Sequence, residues 1–177
     1  MPILYLTLDQ AIEVHRKTVE VSGGGVMGYL NLGSLESVLN FIRNDDYYPT
    51  FTDKLTHLFF CACNFHCFQD GNKRIAITLC AQMLLMNGYL YCVGHFLREM
   101  ENISYHVAAG KIGKELLGEI IAACLNEEMD SEPLKLKILE AISRGESQGQ
   151  GCGIMAGSAS VLCGALHRPV GLDQHFR

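Results

Sequence analysis

Two apolar segments with helical periodicity dominate the middle of the chain. In the first segment, which Thr52 can cap, residues at three- to four-residue spacing form one face: Leu55, Leu58, Phe59 and Ala62. The second segment begins at about Lys73 and ends at Asn87-Gly88, and its apolar side carries Ile75, Leu79, Met83 and Met86. This spacing predicts two helices with a short polar segment between them.

Further helix signals lie in the N-terminal part of the chain. Thr7 and Gln10 fit a capping box at the start of a helix that ends at Ser22 and the three glycines after it. A glycine-rich loop over residues 23–33 follows, and Ser34 can cap a short helix. Residues 44–49 are polar and contain a proline, which predicts a loop or a small hairpin.

The C-terminal half extends the helical pattern. Residues 89–93 are predicted to form a brief strand or an extended link, whereas residues 95–100 and 103–126 are predicted to be helices. A short amphipathic helix begins at Pro133, and a segment rich in Gly and Ser follows Arg144. We therefore expect an all-α fold, a compact helical bundle with a small hairpin or loop before the second central helix.

The domain organisation follows from the same pattern. We expect one domain over residues 1–128 and a C-terminal extension over residues 129–177, which is a short helix and then a flexible Gly/Ser-rich tail. A small-residue helix at 154–166 is the alternative interpretation of that tail.

Composition excludes several classes of protein. Of the 177 residues, 49% are hydrophobic and 19% are charged, which argues against a disordered chain. The 14 Lys and Arg against 19 Asp and Glu give a net charge of −5, which argues against non-specific nucleic-acid binding. No apolar run is long enough for a membrane span, and the N-terminus lacks the basic region of a secretory signal. We expect a cytoplasmic protein whose eight cysteines are mostly small buried residues.

The segment His66 to Arg74 concentrates reactive groups at the start of the second central helix. The first turn of a helix has free N–H groups and a positive dipole end, so Lys73 and Arg74 are unfavourable there without a bound anion. Gly71 allows a ligand to approach the backbone, and the carboxylate of Asp70 suits Mg²⁺. With His66 as a general base, the segment predicts transfer of a phosphate-containing group to a hydroxyl.

The same segment, HCFQDGNKR over residues 66–74, resembles the signature H-x-F-x-(D/E)-G-N-x-R of the Fic/Doc (Fido) family. Lys73, followed by Arg74-Ile75-Ala76, resembles the Doc (death-on-curing) branch. The resemblance extends over about residues 3–125 and includes His15 in the first helix.

The resemblance implies a compact Fido-type helical fold with the motif between two central helices. It implies that His66 is the catalytic base, that Asp70 holds Mg²⁺, and that ATP or another nucleoside triphosphate is the co-substrate. The nucleotide phosphates would be bound by Gly71, Asn72, Lys73 and Arg74. The loop over 44–51 would be the flap that aligns the target peptide as an added strand.

The branch of the family determines which group is transferred. Family members that transfer AMP usually carry Gly after the Asn and a second Arg three residues after the first, whereas this chain has Lys73 and Ile77. The resemblance therefore implies a Doc-like toxin of a toxin–antitoxin pair that phosphorylates a hydroxyl of a target protein, the translation factor EF-Tu in Doc toxins. Many Fido enzymes also carry an inhibitory helix with Glu four residues after Ser or Thr. That spacing occurs nowhere here, so we expect a separate antitoxin.

Four alternatives compete with this interpretation. A zinc site could use Cys61, Cys63, His66 and Cys67, but the first two lie about 200° apart around a helix and cannot share a tetrahedral ion. Residues 23–28 fit G-x-G-x-x-G, but they follow a helix and not the strand that a dinucleotide site requires. AMP transfer and a non-catalytic binding protein that uses the same groove stay open, and substitution of His66 separates an enzyme from a binder.

Overall fold

The computed structural model describes residues 2–23, 25–26 and 28–144, and the regular structure of this part is α-helical. Its helices, in chain order, are α1 (Leu8–Val21), α2 (Leu32–Phe41), α3 (Phe51–Asn64), α4 (Asn72–Met86), α5 (Leu90–Ala108), α6 (Lys114–Leu125) and α7 (Glu132–Arg144). The predicted all-α fold class is confirmed. None of the described helices is both long and apolar enough to cross a membrane.

Helix α4 lies at the centre of the molecule. It packs against α1, α3 and α5, and most of its residues after the first turn are buried, including Ile75, Cys80 and Leu84 on different sides. A helix that is apolar on nearly every side belongs in a core rather than at a surface. The loop between α3 and α4 is therefore held by the two helices that lie deepest in the bundle.

Hydrogen-bonded caps begin the first three helices. The predicted capping box of Thr7 and Gln10 starts α1. The predicted caps Ser34 and Thr52 are wrong. Asn31 caps α2 by accepting from Ser34 N, and Thr50 caps α3 in a capping box with Asp53. In α3 this reciprocal pair satisfies two backbone N–H groups, so the helix begins before Thr52.

Helix α5 differs most from its prediction. Residues 89–93 were expected to be extended, but α5 begins at Leu90 and continues without a break through residues 101 and 102. Its buried residues recur at helical spacing and pack on the core, which outweighs the strand preference of Tyr and Val. The break comes later, at Gly110, whose φ of +71° ends the α5 segment before Gly113 starts α6.

Helix α7 packs against α6 and buries Leu134. It belongs to the expected C-terminal extension, and the boundary at residues 128 and 129 stays a prediction. The Gly/Ser-rich tail over 145–177, with the alternative helix at 154–166, lies outside the described residues.

Candidate functional site

The loop from Phe65 to Gly71 connects α3 to α4 and carries the candidate catalytic groups. His66 is exposed and has a φ of +47°, a left-handed conformation that costs a non-glycine residue about 1 kcal/mol or more. Two residues later, Phe68 is fully buried. The loop is therefore anchored in the core at Phe68 while it presents His66 to solvent.

The side chain of Asn72 closes this loop. Its Oδ1 accepts from Phe68 N at 3.0 Å, and its Nδ2 donates to Phe68 O at 2.7 Å. The amide group thereby acts as a clamp on the loop backbone. Any contribution of Asn72 to anion binding falls to its backbone N–H, which has no partner inside the helix because it lies in the first turn of α4.

His15 of α1 packs against the buried side of the loop. Its ring is buried and stacks on Phe68 with the centroids 3.9 Å apart, and its Nε2 lies 3.3 Å from Asp70 O. Burial lowers the pKa of His15, although the hydrogen bond to the Asp70 carbonyl opposes this effect. A neutral ring that donates from Nε2 fits these contacts, which give His15 a structural role.

The glycine-rich loop pairs with the motif through backbone hydrogen bonds, a contact that the sequence reasoning missed. Tyr29 and Phe68 form an antiparallel bridge, Gln69 N donates to Gly28 O at 2.9 Å, and Leu30 N donates to Cys67 O at 2.9 Å. The motif is thus flanked by a short two-stranded ladder.

Glycines are required where this loop approaches the motif. A Cβ on Gly25 would lie 2.5 Å from Asp70 Oδ2, and a Cβ on Gly28 would overlap the side chain of Gln69. The spacing of the glycines before α2 was the available sequence signal, but the partner of the loop could not be identified without the fold.

The start of α4 has the features expected of an anion cradle. Gly71 is its N-cap with a φ of +80°, no side chain caps the helix, and the first turn contains no acidic residue. Lys73 and Arg74 both lie in this turn. Free N–H groups, the positive end of the dipole and two cations therefore coincide at one place, as a bound phosphate requires.

The charged side chains around the cradle have different interaction partners. Asp70 Oδ1 accepts from Gly71 N at 2.6 Å, and Asp70 Oδ2 lies 3.3 Å from Arg74 Nη2. Arg74 Nη1 also donates to Ser22 Oγ at the end of α1. Lys73 Nζ instead lies 5.3 Å from the centre of the Tyr105 ring on α5. The Asp70–Arg74 pair is partly exposed, so an arriving ligand can separate it at a cost below about 1 kcal/mol.

Mg²⁺ fits this arrangement better than Zn²⁺ does. The described residues contain no group of three or more His, Cys, Asp or Glu side chains placed to hold a metal ion. Mg²⁺ commonly takes one carboxylate together with phosphate oxygens and water, and Asp70 offers a half-exposed carboxylate beside the cradle. Zinc would need thiolates, whereas burial raises the pKa of Cys61 to about 11 and that of Cys63 to about 12.

A cavity of about 440 Å³ adjoins the cradle between α1, α4 and α5. Arg74 and Ser22 line one part of it, and Ile77 and Leu97 form an apolar wall. Ile77 occupies the position at which AMP-transferring members of the resembled family carry a second arginine. The cavity therefore contains one guanidinium group, that of Arg74.

The loop before α3, over residues 42–50, is fixed at its base by a buried lysine. Lys54 is fully buried, and its Nζ donates to Ile42 O at 2.9 Å and to Asp45 Oδ1 at 2.7 Å. Burial lowers the pKa of Lys54, but the hydrogen bonds and charge interactions with Asp45 and Tyr5 together outweigh this effect and raise the pKa overall. The Asp45-Asp46 turn thus anchors the loop through Asp45.

Comparison with protein-family profiles identifies a match. The sequence profile of the Fic/DOC family matches residues 5–84, which begin before α1, include the whole His66–Arg74 segment and end within α4. Comparison with curated proteins gives no match. Members of this family are generally nucleotidyl- or phosphotransferases that use a nucleoside triphosphate with Mg²⁺. The chain is therefore similar to the Fic/Doc family over residues 5–84, which are less than half of its length and include the α3–α4 loop. This similarity suggests protein modification by transfer from a nucleotide.

Proposed function

We propose that this chain is a Doc-like phosphotransferase that transfers the terminal phosphoryl group of ATP, or of another nucleoside triphosphate, to a hydroxyl of a target protein. The observation that carries the proposal is the start of α4, where Gly71 in a left-handed conformation leads into a first turn with two cations and no acid. Such a turn is destabilised by its own charges unless an anion binds it.

The residues of the loop have separable roles in this reaction. His66 removes the proton from the target hydroxyl, whose oxygen then attacks the terminal phosphorus as the bond to the nucleoside diphosphate breaks. Arg74, Lys73 and the N–H groups of the first turn stabilise the charge on the phosphate oxygens. Asp70 would hold Mg²⁺, which when bound neutralises phosphate charge.

The composition of the cavity beside the cradle favours phosphoryl transfer over AMP transfer. Arg74 is its one guanidinium group, and the buried side chain of Ile77 stands where a second one is expected in AMP-transferring members. AMP transfer is the alternative activity, and a protein that only holds a partner in this groove is the alternative without catalysis.

Partners follow from the same resemblance. The target is a protein, with a translation factor such as EF-Tu as the first candidate, and the reaction takes place in the cytoplasm. A separate antitoxin restrains the enzyme. This part of the proposal is supported by the sequence, which contains no Ser or Thr followed by Glu four residues later.

The experiment compares γ-labelled with α-labelled ATP in reactions that contain Mg²⁺, purified EF-Tu and a cytosolic extract. We expect label on protein from the γ position only, and we expect His66→Ala to abolish it without lowering the melting temperature. His95→Ala is the matched control, because His95 contacts Glu99 at 3.9 Å on the surface of α5 and takes no part in the loop.

Each alternative has its own result. Label from the α position identifies AMP transfer. Undiminished labelling by His66→Ala would exclude this residue as the base, and protein binding without labelling in any arm would identify a non-catalytic binder.

A further inference from the structure

A separate cavity of about 470 Å³ lies between α2, α3 and the loop over 42–50. Its lining includes Asn31, Val38, Phe41, Tyr48, His57 and Phe65, and it does not include the cradle residues 70–74. Phe65 directly precedes the proposed base, His66. The cavity thus lies next to the part of the loop that carries His66. Through Tyr48 it also borders the loop over 44–51, which the family resemblance assigns to alignment of the target peptide.

Lys114 does not line this cavity, but its ammonium group contacts two of the lining residues, Tyr48 and His57. Lys114, the first residue of α6, places its Nζ 3.0 Å from His57 Nδ1 and 5.0 Å from the centre of the Tyr48 ring. The Tyr48 and His57 rings are stacked with their centroids 4.5 Å apart. Within the described part of the chain, Lys114 has no carboxylate at ion-pair distance. The Lys114 ammonium group thus lies beside the cavity without an acidic partner among the described residues, although the whole chain has a net charge of −5.

Lys114 is the charged member of the group of side chains around His57. Burial, and then the nearby Lys114, lower the pKa of His57 to about 4, so its ring is neutral and accepts from the ammonium. Cys61 Sγ lies 3.7 Å from the same ring, and burial raises the pKa of this thiol to about 11. Tyr48 is likewise neutral near pH 7, because burial raises its pKa above the usual value.

We propose that this cavity receives an Asp or Glu side chain of the target protein, next to the hydroxyl that is modified, and that its carboxylate pairs with Lys114. The inference rests on the proposed function, since it assigns a specificity site to the same target. A single ammonium matches a single carboxylate, and the apolar walls formed by Val38, Phe41 and Phe65 suit the methylene groups of such a side chain. The nucleotide phosphates already have the cradle at α4.

The test measures peptide binding without nucleotide. The probes are two pools of acetylated, amidated heptapeptides with a central Thr, one with Glu and one with Gln at the same flanking positions. Binding is followed through the NMR resonance of the His57 Cε1 proton at constant pH. We expect the Glu pool to shift this resonance and to bind about three- to fivefold more tightly than the Gln pool.

Variants assign the effect to the lysine. Lys114→Gln should remove the preference for the Glu pool, and Lys114→Arg should keep most of it. Lys111→Gln, which changes a nearby lysine whose side chain makes no hydrogen bond to His57, should leave it intact. The inference is overturned if both pools bind equally, if neither pool shifts His57, or if Lys114→Gln behaves like the unmodified protein.

Failure of this inference and failure of the proposed function are distinguishable. Labelling by γ-labelled ATP that depends on His66 can persist when the Glu pool shows no preference, which rejects the acidic site alone. Conversely, a Lys114-dependent preference without any labelling retains the binding site and rejects phosphoryl transfer.

Discussion

Single side chains hold the α3–α4 loop in a shape that leaves its reactive groups exposed. Asn72 binds the backbone of Phe68 on both sides, and His15 supports Phe68 and the Asp70 carbonyl. These supporting groups are buried or half-buried, whereas His66 and Asp70 are exposed. A loop fixed in this way loses little conformational freedom when a nucleotide arrives, which favours binding.

Substitution of Asp70 tests the metal site at this scale. Asp70→Asn keeps the size of the side chain but removes the charge that attracts Mg²⁺, so we expect a rate at least about tenfold lower and a higher Mg²⁺ requirement. The measurement is the initial rate of protein labelling against Mg²⁺ concentration. Asp46→Asn, in the exposed turn before α3, serves as the control. Equal rates with and without a chelator would rule out the metal-binding role.

Stability should fall on mild acidification because of buried histidines. Burial lowers the pKa of His15, His57 and His106 in the folded protein, with His57 reaching about 4. The unfolded chain binds protons at a pKa of about 6.5, so this stabilisation is complete above that pH and is lost as the pH falls towards 4. Each such histidine contributes a slope of up to about 1.4 kcal/mol per pH unit.

Urea unfolding at about pH 7, 6 and 5 measures this slope. We expect His57→Gln to reduce it, and His95→Gln, on the surface of α5, to leave it unchanged. A slope that is the same in His57→Gln and in the unmodified chain would show that His57 titrates normally in the folded protein.

Residue chemistry was predictable where it depended on the neighbouring sequence. The exposed base, the carboxylate and the two cations all follow from nine consecutive residues. The clamp formed by Asn72 was not predictable, because it requires the Phe68 backbone to turn back over α4. The Tyr48, His57 and Lys114 cluster was missed for a related reason, since it joins three distant segments.

At the scale of helices, the ends are determined by caps and the interiors by packing. Asn31 and Thr50 lie at loop positions from which their side chains reach the third residue of the following helix. Gly71 instead starts α4 with no side-chain cap. The helix that carries the candidate site thus has an N-terminus that no side chain caps, a feature that it shares with α5 and α6.

Paired substitutions distinguish the true cap of α3 from its neighbour. Thr50→Ala removes a capping box and should lower the free energy of unfolding by about 1 kcal/mol. Thr52→Ala lies inside the first turn and should change it by less than about half of that amount. Chemical denaturation of both variants is the measurement, and a larger loss in Thr52→Ala would contradict the observed start of α3.

Helix positions were predictable from periodicity, and several boundaries were not. The two central helices follow from their apolar spacing, although Thr50 starts α3 earlier than expected. The start of α5 was predicted wrongly, because residues 89–93 have strand preference when they are considered alone. Its helical state depends on the burial of Cys92 and Val93 against the core, which a local pattern does not contain.

In the molecule as a whole, the core is continuous from α1 to α7 and centres on α3 and α4. The candidate site therefore lies on the connection between the two best-packed helices, while its second wall comes from the loop before α2. Rigid helices on one side and a backbone-paired loop on the other position the reactive groups without any disulfide among the described cysteines.

Loss of core packing should affect the whole fold. Phe59 is fully buried on α3 and meets Phe96 of α5 edge to face, so Phe59→Ala should cost about 3–5 kcal/mol. Leu90→Ala, at a position that is 69% exposed, should change stability by less than about 0.5 kcal/mol. Urea denaturation followed by circular dichroism compares the two. Similar losses in both variants would contradict the placement of Phe59 in the core.

The overall class followed from the sequence because helical periodicity and caps agree along most of the chain. The tertiary arrangement did not follow, because the sequence does not show that residues 28–31 lie against residues 67–69. That contact decides which loop forms the second wall of the site.

The pairing of residues 28–31 with residues 67–69 uses main-chain groups, which every amino acid except proline supplies in full. Exchange of side chains such as Leu30 would leave the ladder intact, whereas adding or removing one residue would shift its register and carry His66 along with it. A change in loop length, rather than in loop composition, is thus the simplest way in which related chains could change the position of the proposed base while the motif stays the same.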